Sequence, residues 1–181
     1  MVTVRRRELI AGAVGLGVFG VGAATVYSDF DIPLDDEEAT EEFEPVTIPR
    51  LDAPGSPPGE EQVPEPGRVS FVELFATWCS ICKANMEPLA EAASQAGDVQ
   101  FVSITNEPVG QTVEKEDVVD WWEEHGGNWH LAHDADLDVT RKLDASEVPY
   151  AVVFDESNRL VWESRGYKTT EEILDAIEEA Y

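Results

Sequence analysis

From residue 68 to the end, apolar positions fall into two alternating regimes: short unbroken apolar runs and stretches of helical periodicity. Val69 to Phe75 is a run rich in Val, Phe and Leu, the pattern of a strand buried on both faces. After a short connection, Ala76-Thr77-Trp78, helical spacing runs from Ser80 to Gln95 and stops before Gly97. Pro88 lies inside it and is expected to kink it or remove a backbone bond. Val99 to Thr105 predicts a second strand and Glu116 to His125 a second helix, ended by Gly126-Gly127. A short strand over Asn128 to Ala132 and a short helix over Asp138 to Leu143 follow. Ala151 to Phe154 and Leu160 to Ser164 flank a turn at Asp155 to Asn158 and read as a β-hairpin. The last helix is expected from Thr170 to Ala180, with Thr169 and Glu172 at capping-box spacing. The order β-α-β-α-β-α-β-β-α predicts an α/β fold, a central mixed sheet with helices on both faces.

The first 67 residues follow other patterns. Arg5-Arg6-Arg7 precedes an apolar run from Leu9 to Tyr27, a basic region before a hydrophobic one, as in export signals. Arg6-Arg7-Glu8-Leu9-Ile10 looks like a twin-arginine signal. The run approaches the length of a membrane span, so residues 1–27 are expected to be a signal or a single-span anchor, with the anchor favoured. Arginines before it and Asp29, Asp31, Asp35 and Asp36 after it orient the remainder of the chain outward. Residues 28–67 read as an acidic, Pro- and Gly-rich tether, in which Val46-Thr47-Ile48 could add an edge strand. The globular domain is expected over residues 68–181.

Charge narrows the class. The 181 residues carry 38 acidic and 12 basic side chains, a formal net charge of -26, which argues against nucleic acid as a partner. Acid excess with only four lysines resembles the proteome of a salt-adapted archaeon, although an acidic protein of an ordinary organism has the same signature.

The two cysteines stand together as Cys79-Ser80-Ile81-Cys82, at the predicted start of a helix. Thiols at this spacing can close a disulfide with little backbone movement, and the helix N-terminus favours the thiolate of the first. A thiolate attacks disulfides, and a second thiol nearby resolves the mixed disulfide. A purely structural bridge would close a very short loop and gain little entropically. Half of a zinc site is the other reading, with His125, His130 and His133 as the available ligands; on a strand, His130 and His133 would face opposite sides.

Phe71-Val72-Glu73-Leu74-Phe75-Ala76-Thr77-Trp78-Cys79, followed by Cys82, resembles the start of a thioredoxin-like domain. Ala76-Thr77-Trp78-Cys79, the helix with Met86 and Pro88, and Val148-Pro149 before a strand are similar to the TlpA/ResA group of exported, membrane-tethered thiol-disulfide oxidoreductases. The resemblance covers residues 68–181, and weakly from Val46. It implies Cys79 as the attacking sulfur and Cys82 as the resolving one. It implies a buried acid at Glu73, beneath the disulfide, exchanging protons with the resolving thiol. It implies a cis Pro149 against the cysteines, a Val148 backbone that bonds an incoming peptide, and Trp78 over the site. Trp121, Trp122 and Trp129 are expected to be packing residues. No diffusible cofactor and no metal would be needed; partners would be protein thiols or disulfides and a membrane electron donor or acceptor, with a monomeric soluble domain. The copper-chaperone Sco group shares the fold but carries CxxxC and a distant histidine. A non-catalytic binding module is the other alternative. The insert Ser80-Ile81 lacks the proline common in the TlpA/ResA group, which leaves the redox direction open.

Overall fold

The computed structural model describes residues 42–181; the segment read as a signal or anchor, and the tether up to residue 41, lie outside the described residues. Among the described residues no helix is long and apolar enough to cross a membrane. The elements, in order, are β1 (Val46–Arg50), β2 (Gly59–Val63), β3 (Ser70–Phe75), α1 (Ser80–Gln95), β4 (Gln100–Thr105), α2 (Lys115–Glu124), β5 (His130–His133), α3 (Asp138–Lys142), β6 (Tyr150–Phe154), β7 (Leu160–Arg165) and α4 (Thr170–Glu178).

The seven strands form one mixed sheet in the order β2-β1-β5-β4-β3-β6-β7. β3 lies inside it, parallel to β4 and antiparallel to β6, and every residue of β3 and β4 is buried. Alternation along β3 divides its side chains between two cores. Phe71 and Phe75 meet residues of α1, α2 and α4, among them Met86, Leu89, Trp122 and Ile173. Val72 and Leu74 meet Val139 and Leu143, at and beyond α3. Helices therefore cover both faces, and the unbroken apolar pattern of β3 has this cause. Full burial of each such side chain is worth about 1.5–3 kcal/mol.

The start of α4 is set by its cap. Thr169 accepts from the Glu172 N–H while Glu172 accepts from the Thr169 N–H at 2.7 Å, closing the expected capping box on α4. α1 runs through Pro88 as one helix. Trp122 and Trp129 are buried, and their indole N–H groups donate to the Pro54 carbonyl at 3.1 Å and the Ser103 hydroxyl at 2.9 Å.

The largest departure from the sequence reading concerns residues 46–67, assigned there to the tether. Within them, β1 and β2 are strands of the sheet. β1 is not an edge strand, since it pairs with β2 on one side and β5 on the other. The Pro/Gly-rich stretch between β1 and β2 is a turn docked on the domain. Buried Ser56 donates to the Leu131 carbonyl at 3.1 Å and accepts from the Leu131 N–H at 3.0 Å, extending the ladder beyond β1. Gly55, at φ +74°, passes so close to the Asn128 backbone that a Cβ would lie 2.1 Å from its carbonyl carbon. β2 is polar in sequence but inserts Glu61 into a buried cluster, where it accepts from Gln100 Nε2 at 2.6 Å and faces His130 Nδ1 at 2.9 Å.

Candidate functional site

β3 feeds directly into the site. After Phe75 the chain makes a tight turn in which the Cys79 N–H donates to the Ala76 carbonyl at 3.1 Å, and Cys79 becomes the N-cap of α1. The Cys82 N–H donates to Cys79 Sγ at 3.1 Å, so the sulfur occupies the place a capping oxygen usually takes. The two cysteines are joined as a disulfide, with Cα atoms 5.2 Å apart. Their exposure is unequal: Cys79 retains 7% and Cys82 only 1%. A reagent from solvent therefore meets Cys79 first.

The turn is held from below by Glu107, in the loop after β4. Its buried carboxylate accepts from the Thr77 N–H and the Thr77 hydroxyl, both at 2.8 Å, and from the Thr105 hydroxyl at 3.1 Å. His133 Nε2 lies 3.0 Å from the Glu107 carbonyl, while His130 turns to Glu61, so the two histidines serve different places. Among the described residues no group of three metal-ligating side chains converges.

Across the disulfide, the Val148 carbonyl lies 3.7 Å from Cys79 Sγ, and the Val148-Pro149 bond is cis. Trp78 is 75% exposed and, with the Ala145–Val148 segment, walls a cleft of about 130 Å³ beside the cysteines. Ile81, between the two cysteines in sequence, is also exposed and adds apolar surface there. The sequence-predicted residues Cys79, Cys82, Trp78, Val148 and Pro149 are thus brought together.

Glu73 points to the same side of the sheet as Phe71 and Phe75, toward α1, and is fully buried. Burial pushes its carboxyl from 4.5 up to about 7; Lys168 and Asn85 act in the opposite sense. Asn85 Nδ2 donates to Glu73 Oε1 at 3.1 Å, and Lys168 Nζ lies 3.7 Å from the same oxygen. Asn85, Lys168 and Glu107 went unnoticed in the sequence. Asn85 carried a faint signal: it lies three residues beyond Cys82, on the helix stripe that continues through Met86 and Leu89. Lys168 carried none beyond the scarcity of lysine.

The Redoxin family model matches residues 46–178, and so includes β1 and β2. No curated protein sequence matches the chain significantly. Among solved structures the chain is similar to StoA from Bacillus subtilis, with a TM-score of 0.62 and 13% identity over 74% of this chain and 97% of that one. It is similar to the exposed lipoprotein thioredoxin Etrx1 from Streptococcus pneumoniae, at a TM-score of 0.64 and 19% identity over 75% and 99%. A secreted Mycobacterium tuberculosis disulfide oxidoreductase homologous to E. coli DsbE gives a TM-score of 0.62 and 14% identity over 74% and 95%. At such identities these are likenesses of fold, and the expected thioredoxin-like architecture is the one observed. On the match that spans the sheet from β1 to α4, the chain belongs to the Redoxin family.

Proposed function

We propose that the protein is a thiol-disulfide oxidoreductase of TlpA/ResA type that exchanges the Cys79–Cys82 pair with protein substrates outside the cytoplasm. The observation that carries this reading is a disulfide with unequally exposed sulfurs, seated at a helix N-terminus directly after the strand that carries Glu73, whose carboxyl burial pushes up to about 7. In the reducing direction the Cys79 thiolate attacks a substrate disulfide, forming a mixed disulfide and expelling one substrate thiolate. Cys82 then gives its proton to Glu73, attacks Cys79 Sγ, and expels the second substrate thiolate. Two electrons pass from the dithiol to the substrate, the expelled thiolates take protons from water, and Glu73 returns its proton to solvent. The oxidising direction is the reverse with the same groups.

Substrate recognition falls to the Val148 backbone, whose carbonyl faces Cys79 and can bond an extended peptide, and to Trp78, whose exposed ring offers it apolar surface. The pair needs no diffusible cofactor and no metal, but it must be re-reduced or re-oxidised by a membrane partner. Arg5-Arg6-Arg7 and the apolar run after it support an exported or tethered monomeric domain, and the charge of -26 supports a salt-adapted source.

The test is insulin reduction by dithiothreitol with the full chain, alongside Cys79→Ser and Cys82→Ser. Wild type should accelerate precipitation, Cys79→Ser should be inert, and Cys82→Ser should accumulate a mixed disulfide through Cys79. Equal behaviour of wild type and Cys79→Ser would sink the reading, as would stoichiometric copper or zinc retained through Cys79 by protein prepared under reducing conditions.

A further inference from the structure

Four carboxylates are buried among the described residues: Glu61, Glu73, Glu107 and Asp134. Burying a carboxylate is costly unless it is paired or well hydrogen-bonded. Glu107 and Asp134 meet hydroxyls and backbone N–H groups rather than cations. Neither has a part in the exchange of the two sulfurs. Glu107 lies just beyond β4 and Asp134 just beyond β5, and these strands are parallel neighbours, so both acids stand at one end of the sheet. The cleft beside Cys79 opens at the same end, with Asn106 in its wall.

Glu107 fixes the wall that carries Trp78. It accepts from the N–H and the hydroxyl of Thr77, the residue before that tryptophan. Its own backbone is held in turn: the Glu107 N–H donates to the Thr105 hydroxyl at 3.2 Å, and His133 Nε2 donates to the Glu107 carbonyl at 3.0 Å. Asp134 fixes the opposite wall through α3. Its carboxylate accepts from the Asp138 and Thr140 N–H groups, both at 2.8 Å, and from the Thr140 hydroxyl at 2.7 Å. The Thr140 carbonyl then accepts from the N–H of Ala145 at 3.0 Å, where the segment facing Trp78 begins. Asn106 joins the two systems, because its Nδ2 donates to Thr140 Oγ1 at 3.3 Å. The Thr140 hydroxyl proton goes to Asp134, so that oxygen can only accept from Asn106, and the amide is fixed with its nitrogen toward α3. Trp78 and Ala145 are far apart in sequence, yet two consecutive residues, Asn106 and Glu107, tie down both sides of the space between them.

We propose that Asn106, through Thr140, and Glu107, through Thr77, are positioning residues that set the width of the cleft and so aim a peptide disulfide at Cys79. This assignment rests on the exchange reaction above and identifies what holds its substrate in place. The cleft of about 130 Å³ takes a side chain flanking the substrate cysteine. Attack needs the substrate sulfur in line with Cys79 Sγ, and a wall that gives way loses that alignment without touching either cysteine. A disulfide with no flanking residues has nothing to place in the cleft and depends on Cys79 alone.

The test compares two disulfides with one leaving group. Reduced full-length protein is mixed in stopped flow with the thionitrobenzoate mixed disulfide of N-acetylcysteine amide, or of the peptide Ala-Leu-Cys-Leu-Ala. In both, the Cys79 thiolate attacks the aliphatic cysteine sulfur, forms a mixed disulfide with it and expels thionitrobenzoate, whose absorbance gives the rate. Wild type should take the peptide faster. Thr140→Val, and Asn106→Ala, which leaves the contacts of Asp134 with α3 in place, should each slow the peptide about three- to tenfold more than the single residue, the size of one hydrogen bond. Thr140→Ser keeps the hydroxyl and should restore the wild-type ratio. A merely destabilised fold would slow both disulfides alike. The proposal is overturned by a wild type that takes the peptide no faster than the single residue, or by a ratio that stays at the wild-type value in Thr140→Val and Asn106→Ala. Failure of the underlying reading looks different: wild type expels thionitrobenzoate from neither disulfide, or Cys79→Ser expels it equally fast.

Discussion

Glu73→Gln should make the oxidised protein more stable at neutral pH than wild type, by an amount that grows with pH. The carboxyl moves from 4.5 in the unfolded chain to about 7 in the fold, because burial outweighs Lys168 and Asn85. A raised carboxyl binds its proton more tightly in the folded state. Its stabilising contribution is whole below pH 4.5 and is lost as pH rises through about 7. A shift of this size corresponds to about 3 kcal/mol, lost at no more than about 1.4 kcal/mol per pH unit. Glutamine keeps the acceptor that Asn85 uses and cannot ionise, so the variant avoids the loss. Removing the carboxylate also presses Lys168 further down, which favours the variant at alkaline pH and does not reverse the sign. Self-repulsion among the remaining acidic side chains changes with pH in both proteins alike and cancels in the difference. Urea unfolding of both oxidised proteins at fixed ionic strength, from pH 4.5 to 8, measures it. The difference should rise by about 3 kcal/mol across that range and then flatten. Parallel stability curves would refute the buried, near-neutral carboxyl and with it the proton route from Cys82.

Two other substitutions probe the frame of the site. Glu107→Ala strips three acceptor contacts from Thr77 and Thr105, and should cost about 2–4 kcal/mol in urea unfolding, with Glu107→Gln losing about half of that. Gly127→Ala would drive a methyl to within 2.2 Å of the fully buried Trp122 ring, so a loss of about 2 kcal/mol or more and a red-shifted tryptophan emission are expected; unchanged unfolding would mean that the ring has room to move.

How far the sequence speaks depends on how local the cause is. β3, α1 and the capping box of α4 were legible because unbroken burial, helical spacing and a four-residue cap leave their mark within a few positions. The cysteine pair and its place at the start of a helix were legible for the same reason, whereas the cap that Cys79 Sγ forms was not read. β2 was not: Gly59-Glu60-Glu61-Gln62-Val63 reads as solvated chain, and only the approach of Gln100 from β4 and His130 from β5 turns Glu61 into a buried residue. The turn over Pro54 to Pro58 looked like a spacer because proline and glycine serve spacers and tight turns alike; its contacts with Leu131 and Trp122 come from distant sequence. Glu73 stood out as the single charge in an apolar strand. Its partner Lys168 did not, since it comes from the opposite end of the domain beside an exposed tyrosine.

The distribution of acid around the helices bears on the proposal that Cys79 is the reacting sulfur. In a chain with 38 acidic and 12 basic residues, a first helical turn is expected to carry Asp or Glu, which complement the positive end of the dipole. α2 carries Glu116 and Asp117 there, α3 carries Asp138, and α4 carries Glu171 and Glu172. α1 carries none, and its first turn includes Lys83 instead. The backbone donors at its start are left to a single group, Cys79 Sγ, which already accepts from the Cys82 N–H. When the disulfide opens, the negative charge appears at that sulfur, and no carboxylate in the turn competes for the dipole or repels it. Cys82, one turn inside the helix and more buried, has the opposite setting: solvent reaches it less than it reaches Cys79. The asymmetry of the pair follows from where a strongly acidic chain withholds its acids as much as from the spacing of the two cysteines.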